Sequence, residues 1–197
     1  MKLIYLASTA AIGLVCAFTN RHEAPKPVVR KAAVHKSPPS DVLIKRGKYL
    51  VTIAGCADCH APKKMTPQGP VPDMDRFLSG HNSALKLGEY DKNLVNSGQW
   101  VLFNGQNTAF VGPWGVSFAA NLTPDASGIG TWSLEQFTKA MRQGKFKGMD
   151  NTRTLLPPMP WPNYTTMNDS DLKAVFTYLK SIKPISNVVP AAMPPVP

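Results

Sequence analysis

The stretch that decides the fold of this chain is Cys56-Ala57-Asp58-Cys59-His60. Two thiols separated by two residues lie within one turn of backbone, and an imidazole follows the second thiol directly. Both sulfurs can therefore reach the two vinyl groups of one porphyrin, while the histidine offers a ring nitrogen to its iron. This spacing is the attachment signature of a c-type haem. It predicts one covalently bound haem c, with Cys56 and Cys59 as the thioether anchors and His60 as an axial ligand.

Two other uses of a C-x-x-C pair are disfavoured. A thioredoxin-like redox pair requires a strand-helix-strand pattern, whereas residues 46–55 are typical of a helix with no strand before it. Structural zinc would need further cysteine or histidine ligands. Outside the motif, the cysteines and histidines of the sequence are Cys16, His22, His35 and His81.

The amino terminus is predicted to direct export. At 197 residues, the chain has room for one compact domain of roughly 150 residues once a leader and a linker are subtracted. Residues 3–18 carry no charge and lie between Lys2 and Arg21, which is typical of an export signal and is shorter than the ~20 residues of a membrane span. We therefore expect residues 1–17 to be an export signal or membrane anchor. The protein would be periplasmic or attached to the outer face of the cytoplasmic membrane.

The fate of the leader has three interpretations. Cleavage after Ala17 satisfies the preference for small residues at the cleavage site. Alternatively, Cys16 becomes a lipid-bearing first residue, or it is a small hydrophobe in a discarded leader. All three export the chain.

A proline- and lysine-rich tether is predicted over residues 18–39. Residues 1–39 hold six of the 22 Lys and Arg residues and one of the 12 acidic residues, so the net charge of +10 falls to +5 for the remainder. This basicity favours an anionic membrane surface. Nucleic acid is not an expected partner, because there is neither a basic helix nor an interleaved aromatic-basic pattern.

The predicted domain, residues 40–187, is all-α, with long loops around one haem. A first helix runs from Ser40 to about Ala54 and ends at Gly55. A capping box at Ser133 opens a second helix that ends near Gly144, and Asn168 opens the last helix. The apolar faces consist of Leu43, Tyr49, Leu50 and Ile53 in the first helix, Leu134, Phe137, Ala140 and Met141 in the second, and Leu172, Val175, Phe176 and Leu179 in the last. We expect the first and last helices to pack together.

The segments between these helices are predicted to be irregular. Residues 61–99 are rich in proline and glycine and indicate mostly loop with a short helical turn. Residues 100–103 and 108–111 favour a small β-hairpin. Residues 188–197 form a proline-rich tail that we expect to be loosely held.

Met159 is the predicted second axial ligand. It lies in Leu156-Pro157-Pro158-Met159-Pro160-Trp161, where the prolines hold the backbone extended and lower the entropy lost when the thioether binds iron. Met149 is the alternative methionine. His81 would give bis-histidine ligation, but we expect it to be solvated. Met141 is better explained by a helical apolar stripe, and Met65 is too close to His60 to reach the opposite face.

Other residues are candidates for the surroundings of the haem. Four aromatic residues could line the pocket or donate to the propionates, with core packing as the alternative: Trp114, Trp132, Trp161 and Tyr164. Four lysines could form a basic docking rim for an acidic partner, with an ordinary solvated surface as the alternative: Lys63, Lys64, Lys145 and Lys147.

Together with residues 112–125 and 128–132, the attachment and methionine motifs resemble those of the class I c-type cytochromes. Within that class the chain is similar to the cytochrome domains that accompany bacterial periplasmic dehydrogenases. The resemblance covers about residues 41–187 and implies that the loop over residues 121–132 packs along the haem edge. Dehydrogenase cytochrome subunits often carry three attachment motifs, whereas this chain has one.

These observations predict a single-electron carrier rather than an enzyme, with His60 and Met159 saturating the iron. The expected partners are redox proteins, namely a donor dehydrogenase, a terminal oxidase or both. Two alternatives stay open. In the first, the chain is a haem subunit of a dehydrogenase or oxidase complex. In the second, it is a sensor or enzyme in which a small ligand displaces Met159.

Overall fold

The computed structural model describes residues 40–195. The predicted leader with Cys16 and the tether over residues 18–39 lie outside the described residues. Five helices are formed: α1 Ser40–Ile53, α2 Cys56–His60, α3 Lys92–Asn96, α4 Leu134–Gln143 and α5 Asp169–Ser181. Five strands accompany them: β1 Lys63–Thr66, β2 Gly69–Pro72, β3 Leu102–Phe103, β4 Ala109–Gly112 and β5 Gly115–Phe118. Three short 3-10 turns cover Met74–Arg76, Phe146–Gly148 and Trp161–Tyr164.

The first and last helices, α1 and α5, pack against each other as predicted. Gly47 of α1 lies against the Ala174 carbonyl and the Tyr178 Cβ of α5, so close that a Cβ at position 47 would overlap both. At the surface, Arg46 donates to both carboxylate oxygens of Asp171 at 2.9 and 3.2 Å. The helices contribute most of the main core, which comprises Leu43, Leu50, Val51, Leu78, Ile129, Phe137, Leu172, Ala174, Val175 and Leu179.

The apolar face predicted for α1 is partly wrong. Tyr49 and Ile53 are 54% and 61% exposed, whereas Gly47 and Val51 are buried with Leu43 and Leu50. The buried positions 43, 47, 50 and 51 follow the helical period. Because α5 approaches α1 over a glycine, the contact face is centred on a residue with no side chain.

The ends of α4 and α5 form as their capping residues predict. Ser133 and Gln136 make the reciprocal capping box, and Gly144 ends α4 in the left-handed conformation with φ of 62°. The Asn168 side chain accepts from the Asp171 N–H at 2.8 Å and caps α5. Phe137 and Ala140 of α4 are buried, whereas Leu134 remains 36% exposed.

The strands form two small antiparallel sheets. The predicted hairpin is confirmed by the pairing of β3 with β4, and β5 extends it to three strands. A second hairpin, β1 with β2, lies directly after the attachment motif, where we predicted mostly loop. Its Pro70 and Pro72 are tolerated because a two-stranded ribbon has free edges. The predicted helical domain with long loops and a small hairpin is confirmed.

The carboxyl-terminal tail is attached where we expected it to be loose. Met193 and Val116 exchange two backbone hydrogen bonds of 2.9 Å, so the tail pairs with β5. Gly115 has φ of 92° and lies against the backbone of Met193 and Pro194, where a Cβ would not fit. The prediction failed because proline content alone does not reveal a two-residue bridge.

Within residues 40–195, the helices are all too short or too polar to cross a lipid bilayer.

We predict that Gly47→Ala lowers the free energy of unfolding by about 1–3 kcal/mol, because the added methyl group overlaps the α5 backbone. Helix propensity alone would make this change favourable by up to about 1 kcal/mol, so the sign distinguishes packing from propensity. Urea denaturation measures the difference. Lys48→Ala, at an exposed position of the same helix, is the control and should change stability little; a stabilised Gly47→Ala protein would contradict the packing described.

Candidate haem-binding site

Cys56, Cys59 and His60 lie on one face of α2. The helix spans only the motif itself, and positions separated by three and four residues share a helix face. Gly55 precedes this helix in the left-handed conformation, with φ of 65°, and so separates α1 from α2. The two thiols are free and half-buried. The local fold therefore presents two sulfurs and one imidazole to the same side.

The tautomer of His60 is fixed by a backbone carbonyl. Its Nδ1 lies 2.8 Å from the Ala120 oxygen, and because a carbonyl only accepts, Nδ1 carries the hydrogen. The Nε2 lone pair then points away from this bond and is available to a metal. Burial lowers the pKa of His60, although the bond to Ala120 opposes this, so the ring is held in the neutral form that ligates iron.

The thiols are poor candidates for disulfide exchange. Burial raises the pKa of Cys56 to about 11, and burial together with the Asp58 carboxylate raises the pKa of Cys59. Reactive redox cysteines have lowered pKa values instead. The surroundings of both thiols therefore fit covalent anchors better than a thioredoxin-like pair.

Strand β5 connects His60 to the loop that carries Met159. Ala120, two residues after β5, accepts the His60 bond, and Ser117 within β5 donates from Oγ to the Pro157 carbonyl at 2.6 Å. Trp114 donates from Nε1 to the same Ser117 oxygen at 3.1 Å. Met159 itself is half-buried. One strand thus anchors both predicted axial ligands, which fits a haem bound between them.

The four predicted pocket aromatics are all half-buried. Tyr164 donates from Oη to the Ala54 carbonyl at 3.3 Å, and its pKa is raised by burial and by the thiols of Cys56 and Cys59. Trp132 packs on the main core, as does Cys56. Trp161 covers Gly144 at the end of α4, where a Cβ would meet the indole ring. Tyr164 is therefore the aromatic side chain tied most directly to the attachment motif.

The remaining methionines occupy other parts of the fold. Met65, Met74 and Met149 are largely exposed, and Met193 pairs with Val116. Met141, with Met167, packs against the main core, as its helical spacing predicted.

His81 is completely buried, which contradicts the expectation that it is solvated. Its Nδ1 lies 2.9 Å from the Thr108 hydroxyl, and its ring centroid is 4.9 Å from that of Phe118. Its backbone N–H donates to the Ala119 carbonyl at 2.9 Å. The expectation failed because loop composition does not show that this loop packs along the end of β5.

Two of the four lysines predicted to form a docking rim are held within the protein. The Lys63 ammonium donates to three backbone carbonyls, and the Lys64 ammonium lies 2.8 Å from Asp73 and 2.9 Å from Asp75. Carboxylates pair with the charge of Lys64, whereas carbonyls accept the hydrogens of Lys63 without neutralising its charge. Lys145 and Lys147 remain candidates for a docking rim.

A helical domain with an attachment motif, a histidine with its Nε2 free and a methionine loop bonded to the same strand defines the class of c-type cytochromes. The family model for cytochrome c matches residues 44–183. This chain belongs to the cytochrome c family and, as a member, carries covalently bound haem c.

Several curated proteins are similar to this chain. The gluconate 2-dehydrogenase cytochrome c subunit of Pantoea cypripedii is 30% identical over 79% of the chain and 27% of the relative. The cytochrome c subunit of the quinone-type alcohol dehydrogenase of Gluconobacter oxydans is 28% identical over 78% of the chain and 24% of the relative. The fructose dehydrogenase cytochrome subunit of Gluconobacter japonicus is 29% identical over 78% of the chain and 24% of the relative. The chain thus spans about a quarter of the length of these relatives.

We predict that Ser117→Ala lowers the free energy of unfolding of the holoprotein by about 1 kcal/mol, because the Pro157 carbonyl loses its donor. The same change should weaken the methionine-to-iron charge-transfer band of the oxidised protein, since the Met159 loop is less well held. Trp114→Phe removes the other bond to Ser117 and serves as the control. An identical band in Ser117→Ala would show that this bond does not position Met159.

The hairpin after the motif should lose stability in acid. The Lys64 ammonium, with help from Arg76, lowers the pKa of the Asp73 carboxyl to about 2, below its usual value of 3.8. The stabilisation from Asp73 is therefore complete above pH 3.8 and is lost as the pH falls towards 2. In Asp73→Asn, the free energy of unfolding should fall less steeply across this window. The exposed Asp75→Asn is the control, and an unchanged slope in Asp73→Asn would refute the assignment.

Proposed function

We propose that the protein is a single-electron carrier in which Cys56 and Cys59 attach one haem c and His60 and Met159 ligate its iron. The observation that carries this proposal is the geometry of α2, which presents both thiols and the free Nε2 of His60 on one face. The bound haem supplies one-electron Fe(III)/Fe(II) chemistry, and a thioether ligand raises its potential relative to two histidines.

The protein contributes fixed ligands and a protected site. His60 is oriented by Ala120, and the Met159 loop is held by Ser117, so both axial ligands belong to an anchored framework. Strong anchoring keeps the ligands in place in both oxidation states and leaves no open position for a small substrate. This arrangement suits electron transfer and disfavours chemistry at the metal.

We propose that the carrier is exported and receives electrons from a periplasmic or membrane-attached dehydrogenase. Three relatives are named as cytochrome subunits of gluconate, alcohol and fructose dehydrogenases, which supports a dehydrogenase as the donor class. A terminal oxidase is the acceptor class. The uncharged leader between Lys2 and Arg21 supports export, and the basic tether supports contact with a membrane surface.

Replacing the methionine ligand tests the proposal. Met159→Ala should abolish the methionine-to-iron charge-transfer band of the oxidised protein and lower the midpoint potential, because the thioether is lost. Met149→Ala removes a largely exposed methionine and is the matched control. A band that survives Met159→Ala would assign the sixth position to another residue.

Carbon monoxide separates the carrier from a sensor or enzyme with a displaceable methionine. We expect the reduced wild-type protein to resist carbon monoxide at neutral pH and Met159→Ala to bind it, as absorption spectra would show. Ready binding by the wild type would favour the sensor or enzyme.

A second candidate is a haem subunit of a larger complex, favoured by the subunit names of the relatives. Purification of the tagged protein from its native membrane tests this candidate. A dehydrogenase that remains bound at high salt would support a stable subunit, whereas dissociation would support a mobile carrier.

A further inference from the structure

Lys63 inserts its ammonium group among the backbone carbonyls at the end of α2. Its Nζ lies 2.9 Å from the Ala57 oxygen, 2.9 Å from the Asp58 oxygen and 2.6 Å from the Ala61 oxygen. Ala57 and Asp58 are the two residues between the attachment cysteines. All three hydrogens of the ammonium are therefore directed to the segment that contains both thiols and His60.

These carbonyls can accept the ammonium because the short helix α2 does not use all of their acceptor positions. The last carbonyls of any helix have no partner within it, and in a five-residue helix they form most of the backbone. The Asp58 carbonyl also accepts from Asn107 Nδ2 at 2.8 Å, and the Ala57 carbonyl from the Ala61 N–H at 3.3 Å. Lys63 supplies the ammonium that binds all three together at the negative end of the helix.

The charge of Lys63 is left without a salt bridge in the part of the chain that the structure describes. The ion pairs there involve other residues, and those of the adjacent Lys64 are with Asp73 and Asp75. The side chain of Asp58 is the acidic group that acts on Lys63, and it is exposed to solvent. Two neighbouring lysines thus differ: Lys64 is paired with two carboxylates, whereas Lys63 bonds to three backbone carbonyls and has no salt bridge within residues 40–195.

The positive charge of Lys63 lies against the segment that attaches the haem. Its Nζ contacts the carbonyl oxygens of Ala57 and Asp58, the two residues between the cysteines, and that of Ala61, which follows His60. A cation at this segment disfavours the extra positive charge of ferric iron relative to ferrous iron, because like charges repel.

We propose that Lys63 is a positioning residue that stabilises the attachment helix and raises the haem midpoint potential through its charge. This proposal rests on the proposed electron-carrier function. The first role follows from its three carbonyl bonds. The second follows from the absence of a salt bridge to its ammonium within residues 40–195. A purely structural clamp would contribute stability and would leave the potential unchanged.

The test compares the midpoint potentials of holoproteins made in a host that attaches haem c. We expect Lys63→Met to lower the potential several-fold more than Lys64→Met, although each change removes one formal positive charge from adjacent positions. Lys63→Arg keeps the charge and should keep the midpoint potential close to that of the wild type. Should Lys63→Met fail to take up haem, Lys63→Gln provides the comparison, because it retains a donor without the charge.

Equal potentials for the wild type and Lys63→Met, or equal small shifts for the two lysine variants, would overturn the proposal. A midpoint potential in Lys63→Arg as low as that of Lys63→Met would also overturn the proposal, since the charge would then not be the cause. Failure of the electron-carrier function itself would be visible elsewhere, as a wild-type protein without haem or without the methionine-to-iron band. The two failures are therefore distinguishable.

Discussion

The hydrogen bond from His60 Nδ1 to the Ala120 carbonyl is the interaction on which the site depends. It determines which ring nitrogen carries the hydrogen, and it joins α2 to the residues that follow β5. A second bond nearby, from the Gly80 N–H to the His60 carbonyl at 2.7 Å, fixes the backbone of the same residue. Gly80 can approach this closely because it has φ of 78° and no Cβ to meet the backbone of Ala119 and Ala120. An imidazole held at both its ring and its backbone is preorganised for a metal, so little order has to be gained on binding.

Strand β5 extends this constraint across the domain. Ser117 within it holds the proline-rich loop before Met159, and Val116 pairs with Met193 of the tail. The prolines of that loop have no N–H to offer, so the side-chain hydroxyl that reaches the Pro157 carbonyl replaces a backbone ladder. The α1 and α5 pair is joined through the contact over Gly47. A short strand and a glycine contact thus join segments that are far apart in the sequence of the described residues.

Local signals predicted the elements that local chemistry controls. The capping residues of α4 and α5, the hairpin at β3 and β4, and the attachment motif itself all depend on neighbouring residues, and each was recognised. Long-range features were missed because no local pattern encodes them: the burial of His81, the tail bridge at Met193 and the pairing of Tyr164 with Ala54, which lie 110 positions apart. Lys63 was predicted to serve a docking rim because its charge was visible in the sequence and its carbonyl partners were not. Gly47 was absent from the predicted apolar face of α1, although its contact with α5 explains why a residue without a side chain is needed there.

The function described above requires one porphyrin bonded to Cys56 and Cys59, with His60 beside them. It is tested most directly by mass spectrometry of the peptide spanning residues 56–60, released by protease from protein that was made in a host able to attach haem c and then extracted with acidic acetone. We expect this peptide to keep the mass of one haem after extraction, and we expect Cys56→Ala with Cys59→Ala to abolish the addition. Recovery of the unmodified peptide from a protein that has lost its colour would contradict it.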